Sequence, residues 1–318
     1  DASILGMGRG AGNLCTEILT QYINENLEYR YHTELLIELV DEYISPISYI
    51  HPWGYSAGYF LAATNNCHPN YVGFLLNKQT INVKKIYQVL KEIPEEERAL
   101  YNEKLIDSLY LKFQENEVDD EKVIQFLKDK MKGRHLLVTA PGKSILEEKE
   151  KIKEQIEQDD VFVICVNSIP DYIAPDILFI SNQKRYHQIK QIYGIKNLTC
   201  PVVLTSNIDA GKSSKYVVNY SDLTMSDTMI SDNACLMLFN LLIKMGIDEI
   251  CVAGFDGYHT NVERNYYARN LINSVDRENL SQINKHIQKY MEKVESHMKV
   301  RYLTESMYDR SKEHVHQN

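Results

Sequence analysis

The chain has 318 residues, enough for about two domains of ordinary size, and its 44% apolar share lets each bury a core. A formal net charge of −9 argues against broad nucleic-acid binding, which needs Lys and Arg clustered along phosphates. No apolar run approaches the roughly 18 residues that span a bilayer, and no signal peptide is visible.

The opening residues read as a short buried strand at Ala2, Ile4 and Leu5, followed by a loop with glycines at 6, 8, 10 and 12. Glycine lets backbone approach a ligand closely. Asn13 or Thr16 can cap a helix starting near Glu17, so strand, loop and helix N-terminus form an anion-binding corner that Arg9 could face. This is not the dinucleotide fingerprint, because the third glycine falls at the wrong offset. Apolar spacing near 3.6 in Leu35, Leu36, Leu39 and Val40, then in Ile81, Val83, Ile86, Tyr87 and Leu90, predicts helices across 17–113. Pro46, Pro52 and Pro94 break them. The acidic stretch Gln114–Asp120 marks a boundary, and a charged helix from about Asp120 to Lys132 reads as a solvated connector.

From Arg134 the pattern changes to short apolar runs: Leu136–Ala140, Val161–Val166, Ile177–Ser181, Val202–Ser206, Tyr216–Tyr220, Ile250–Phe255 and Val300–Leu303. Helical stretches at Ile145–Gln158, Arg185–Tyr193, Asn233–Met245 and Asp276–His297 separate several of them. Such alternation predicts a mostly parallel sheet covered on both faces. Ligands in these sheets bind beyond the carboxyl ends of the strands, at a switch point in strand order. The loops after Ala140, Val166 and Phe255 should therefore converge on one cleft.

The first of those loops is Ala140-Pro-Gly-Lys-Ser144. Gly142 permits close backbone approach, and Ser144 can cap the next helix and offer a hydroxyl to a phosphate. The loop is not a P-loop, since Leu137 stands where the leading glycine belongs. Ala210-Gly-Lys-Ser-Ser214 lacks that glycine too and reads as a plain turn. Asn167 ends the second strand with an amide that both donates and accepts. Gly254-Phe-Asp-Gly-Tyr-His259 gathers an acid, a phenol and an imidazole within four residues, making Asp256 and His259 candidate acid–base groups beside ordinary structural roles. His286 lies on a polar helix and reads as solvated. His314 and His316 imitate a His-x-His metal pair but stand in a terminal tail. Six scattered cysteines form no Cys-x-x-Cys pair and fit reduced thiols in a cytoplasmic protein.

Two resemblances follow from these motifs. Gly12-Asn-Leu-Cys-Thr-Glu17, Thr33–Pro46 and Pro52–Tyr59 occur in family order and resemble the last barrel strand and helical extension of aldolase/lyase barrels such as 4-hydroxy-2-oxovalerate aldolase and hydroxymethylglutaryl-CoA lyase. The resemblance implies Asn13 at a divalent metal (Mn or Mg) and a Gly-Tyr-x-x-x-Tyr element that brings Tyr55 or Tyr59 to the substrate as a proton carrier. With no initiator Met, an earlier barrel is expected upstream. Residues 134–308 more loosely resemble bacterial sialyltransferases and related Rossmann-like proteins, through Ser231-Asp-Asn-Ala-Cys235 and Gly254-Phe-Asp-Gly-Tyr258. That likeness implies a nucleotide or nucleotide-sugar ligand held by Gly142, Ser144, Asn167, Ser231 and Tyr258. The general-base His of the sialyltransferases has no counterpart near Asn273–Asn284.

The expected fold is α/β: an aldolase C-terminal segment with helical extension (1–115), a charged helical linker (116–133) and a doubly wound Rossmann-like domain (134–318). The expected function is part of a metal-dependent aldolase/lyase acting on a 2-oxo acid, fused to a nucleotide- or nucleotide-sugar-binding domain, with this chain alone lacking aldolase activity. The alternatives are a sialyltransferase-like glycosyltransferase and a non-catalytic interaction module. Homo-oligomerisation stays open.

Overall fold

The computed structural model describes every residue except 9–11, 52, 79–80, 82, 115–117, 212–214, 228, 272–279 and 311–318. Arg9, Lys212, residues 273–279, His314 and His316 therefore lie outside the described residues. The chain divides into two compact units, Asp1–Leu76 with Val83–Tyr110, and Asn77–Asn82 with Leu111–Asn318.

The first unit begins with two short strands, β1 (Ala2–Ser3) and β2 (Leu14–Cys15), paired in parallel. The expected buried strand through Leu5 is not formed. Ile4–Gly6 is a 3₁₀ turn with Leu5 at φ 50, and only Gly6 of it is buried. Two contacts hold this turn: the Glu17 carboxylate accepts from Leu5 N–H at 3.2 Å, and Trp53 Nε1 donates to Leu5 O at 2.9 Å.

Helices follow: α1 (Thr16–Asn26), α2 (Thr33–Leu39), α3 (Ser45–Ile50), α4 (Ala57–Thr64), α5 (Pro69–Lys78), α6 (Val83–Lys91) and α7 (Glu103–Gln114). A π-type turn at Val40–Ile44 joins α2 to α3, and Pro46 sits at the start of α3, where its missing N–H costs nothing. Ser56 caps α4 by accepting from Tyr59 N–H. The core of this unit lies late in its sequence, in Tyr71, Val72, Leu75, Ile86, Val89, Leu90, Ile93 and Ile106. Tyr71 pins it: its hydroxyl lies 2.8 Å from the carbonyls of Glu97 and Leu100 and accepts from Asn102 N–H. Before Ala62, among the described residues, large apolar side chains such as Ile18, Tyr22, Leu35, Tyr49 and Ile50 are exposed.

The second unit opens with α8 (Glu121–Met131), the helix read as a solvated connector. That reading is corrected: Leu127 and Met131 are buried in the core of the sheet domain. Asp120, just before it, is buried, accepts from Asn219 N–H at 2.9 Å and lies 3.6 Å from Lys244 Nζ. Charge on the outer face had masked the inner apolar stripe.

Each of the seven apolar runs is a strand: β3 (His135–Thr139), β4 (Val161–Val166), β5 (Ile177–Ile180), β6 (Val202–Thr205), β7 (Tyr216–Val218), β8 (Glu249–Ala253) and β9 (Lys299–Tyr302). Every pair is parallel, in the order β7-β6-β5-β4-β3-β8-β9. Side chains alternate between two cores, as the strand period requires. Phe162, Ile164 and Val166 enter one core with α8, α12 (Ala234–Lys244) and α13 (Leu280–Glu295). Val161, Val163 and Cys165 enter the other with α9 (Ser144–Glu147), α10 (Lys149–Ile156) and α11 (Gln183–Ile192). Burial on both faces explains the unbroken apolar runs. The helix expected over 145–158 is thus two pieces, broken at Glu148. Among the described residues, no helix is long and apolar enough to cross a membrane.

Candidate functional site

Strand order reverses between β3 and β8, the first and sixth strands of the sheet, so their outgoing loops diverge and leave a crevice. A cleft of about 220 Å³ opens there, lined by Ala140 and Gly142 after β3, Val166 and Asn167 after β4, and Gly254–Tyr258 after β8. The three loops named from sequence meet in this cleft. Its remaining walls come from Pro141, from Lys78 at the end of α5, from Asn182 and Arg185 at the start of α11, from Met229–Cys235 leading into α12 (Ser231 excepted), and from Asn265, Tyr266, Ile283 and Tyr308.

The first corner differs from expectation. Asp256 Oδ2 accepts from Ser144 N–H at 2.8 Å, and Ser144 Oγ donates to Asp256 Oδ1 at 2.5 Å. Thr304 Oγ1 lies 2.8 Å from Ser144 Oγ and accepts from Gly254 N–H, tying β3, β8 and the chain after β9 together. Ser144 is buried and its hydroxyl faces this carboxylate. The α9 N-terminus is therefore already filled by an anion, the protein's own. Burial pushes the Asp256 carboxyl above its usual range, while the bonds from Ser144 pull the other way. Ser144 and Asp256 are bonded partners, so neither the phosphate role expected of Ser144 nor the acid–base role expected of Asp256 fits them as placed.

Asn167 keeps its place. It adopts φ 57, a left-handed conformation that Asn tolerates better than most residues, and its Oδ1 accepts from Ser181 N–H at 3.2 Å. Among the described residues its Nδ2 makes no hydrogen bond, and the residue lines the cleft. Tyr258 also lines the cleft, half-buried near Tyr266, Tyr308 and Cys235, and desolvation pushes its phenol well above the usual value. Asn284 holds its backbone at both ends, accepting from Tyr258 N–H at 2.9 Å and donating to Tyr258 O at 2.7 Å.

Other expected residues stand elsewhere. His259 lies in a neighbouring shallow depression with Thr260, Ser281 and Lys285, its backbone clamped by Asn265. Ser231 is buried behind the cleft wall, where its carbonyl accepts from Met225 N–H. His286, read as solvated, meets Asp227 at 2.5 Å.

In the first unit, Asn13 is exposed, and its Nδ2 donates to Met7 O at 2.9 Å rather than capping α1, whose cap position is Cys15. Among the described residues, no group of three His, Cys, Asp or Glu side chains is placed to hold a metal ion. Among the described residues Asn13 thus stands without the companions of a ligand set. Tyr55 is 79% exposed beside Phe60, and Tyr59 is half-buried in the first turn of α4.

Sequence reasoning passed over three residues of the cleft. Asn182 caps α11, accepting from the N–H groups of Lys184 and Arg185, and Asn233 caps α12, accepting from those of Cys235 and Leu236. Both carry a legible signal, an Asn immediately before a helical run. Arg185 carries none, being one charged residue on a charged helix.

No protein-family model and no curated protein sequence matches the chain.

Proposed function

We propose that the second unit binds a nucleotide or nucleotide-sugar in the cleft at the strand-order reversal. The observation that carries this reading is the convergence of two helix N-termini, those of α11 and α12, with the Asn167 Nδ2 donor and the Tyr258–Tyr266 wall on one crevice. Helix N-termini favour anions, and an amide with an open donor suits sugar hydroxyls or a base edge. A cleft of this position and lining is the usual ligand site of an open parallel sheet. Binding is better supported than transfer, because Asp256 is engaged with Ser144 and His259 lines a neighbouring depression rather than the cleft. Sialyltransferase-like glycosyl transfer remains the activity proposed if a base is supplied by the acceptor's side. Thermal shift and calorimetry with CMP, CDP and UDP test the reading. A nucleotide-dependent rise in the unfolding midpoint is expected, and no response at millimolar concentration would leave the interaction-module alternative in its place.

A second reading concerns the first unit, as the closing part of an aldolase/lyase that acts on a 2-oxo acid. The observation favouring it is the exposed apolar series Ile18, Tyr22, Leu35, Tyr49 and Ile50, a surface of the kind an enzyme body covers. Assay of this chain for cleavage of 4-hydroxy-2-oxo acids should show none, and measurable turnover would sink the view that the catalytic parts lie outside it.

A further inference from the structure

The corner after β3, where motif reasoning placed a phosphate, is filled by the Asp256 carboxylate. An anionic ligand in this cleft must therefore find its counter-charge elsewhere; Lys78 and Arg185 are the cationic side chains that line it, and Arg185 is the buried one. Arg185 is 6% exposed, lines the cleft and projects from the first turn of α11. Among the described residues its guanidinium donates to neutral acceptors: the carbonyls of Leu271 (2.5 Å) and Asn270 (3.4 Å), and Gln188 Oε1 (2.8 Å). The Tyr266 ring lies 5.8 Å away. Among the described residues no carboxylate pairs with it. A buried charge without a counter-charge is costly and is retained where something else supplies the charge. Burial pushes its value below the usual arginine range, and tyrosines rather than acids surround it.

We infer that Arg185 is the phosphoryl-anion-binding residue of the cleft, acting with the N-termini of α11 and α12. This inference rests on the ligand-binding reading of the same cleft and narrows it to ligands carrying phosphoryl groups. Arginine suits the role because its planar fork presents five donors, enough to keep the two carbonyls and still meet two phosphoryl oxygens. Asn182 and Asn233, the caps of the two helices, both line this cleft, so the positive ends of both helix dipoles lie at its wall. The carboxylates on the cleft wall are Asp256, engaged with Ser144, and Asp232.

The test uses the full 318-residue chain, in wild-type form and as Arg185→Gln. Inorganic diphosphate, CMP, CDP and uncharged cytidine are titrated by calorimetry and thermal shift. Diphosphate and the nucleotides should bind wild type, cytidine much more weakly, and Arg185→Gln should lose about ten- to a hundredfold in affinity. Without ligand, Arg185→Gln should melt at or above the wild-type midpoint, because the unpaired buried charge is gone. A purely scaffolding arginine would instead lower that midpoint on replacement and leave the anion response intact, and that pair of results overturns the assignment. If inorganic diphosphate binds through Arg185 while nucleotides do not, the anion site stands and the nucleotide reading fails. If nucleotides bind wild type and Arg185→Gln equally, the nucleotide reading stands and the assignment fails. Should Arg185→Gln not fold, Arg185→Lys replaces it: several-fold weaker anion binding is expected from loss of the fork, and unchanged affinity overturns the assignment.

Discussion

Gly142 and Gly254 meet across the reversal of strand order, with Gly142 N–H donating to Gly254 O at 2.8 Å. A Cβ on Gly142 would fall inside contact distance of that oxygen and 2.6 Å from Asp256 Oδ2. Gly254 is held at φ +72, and a Cβ there would press on Ala140 O and the Ile145 side chain. Each glycine is thus required by the protein's own backbone, before any ligand arrives. Gly142→Ala should cost about 1–3 kcal/mol through overpacking. For a unit of this size that lowers the midpoint by roughly 2–4 °C per kcal/mol, measured by thermal unfolding without ligand.

The Ser144–Asp256 pair gives a pH-dependent prediction. Burial raises the folded Asp256 value above the ordinary 3.8, so the folded state holds a proton that the unfolded chain has already lost. Stability from this group is present at low pH and falls as pH rises through the raised folded value. Relative to Asp256→Asn, wild type should gain stability as pH is lowered from neutrality toward 3.8. Denaturant melts of both proteins at several pH values measure the difference, and a constant gap would contradict the account. Ser144→Ala should steepen the dependence, because its two bonds to the carboxylate pull the value down and the hydroxyl bond is removed.

Asn233→Ala should destabilise the second unit by about 1 kcal/mol, as loss of an N-cap does, with Asn233→Ser recovering most of it. The cap also shapes the cleft wall, so the same substitution should weaken nucleotide binding beyond its effect on stability. Equal binding by Asn233→Ala and wild type would remove α12 from the site.

Thiol reactivity should separate the cysteines by burial. Cys67, Cys165, Cys235 and Cys251 are buried, whereas Cys15 and Cys200 are partly exposed. Burial pushes Cys165 and Cys235 up to about 12, leaving almost no thiolate at neutral pH. Alkylation of native protein, followed by peptide mass mapping, should modify Cys15 and Cys200 first and reach the two core thiols only after unfolding. Rapid native labelling of Cys165 or Cys235 would mean that the sheet opens far more readily than its packing allows.

Much of the second unit was legible from residue order alone. Unbroken apolar runs such as Val161–Val166 announce strands buried on both faces, and the helices between them impose a parallel sheet. The rule for ligand sites in such sheets then singles out the loops after Ala140, Val166 and Phe255, which do share a cleft. Asn167 was visible for the same reason: a polar residue at the end of a buried strand has few structural uses.

What residue order could not decide is which polar groups spend their bonds on one another. Ser144 and Asp256 are 112 residues apart, and only strand order makes them partners. That pairing converts an apparent phosphate corner into an internal cap. Arg185 shows the converse. Its charge is ordinary on a polar helix, and becomes informative only when tertiary packing buries it among carbonyls and tyrosines, with no acid paired to it among the described residues. Local sequence sets periodicity and caps, because those depend on neighbours within a turn or a strand. Desolvation and charge balance depend on groups distant in the chain, so the electrostatics of this cleft were settled by the fold alone.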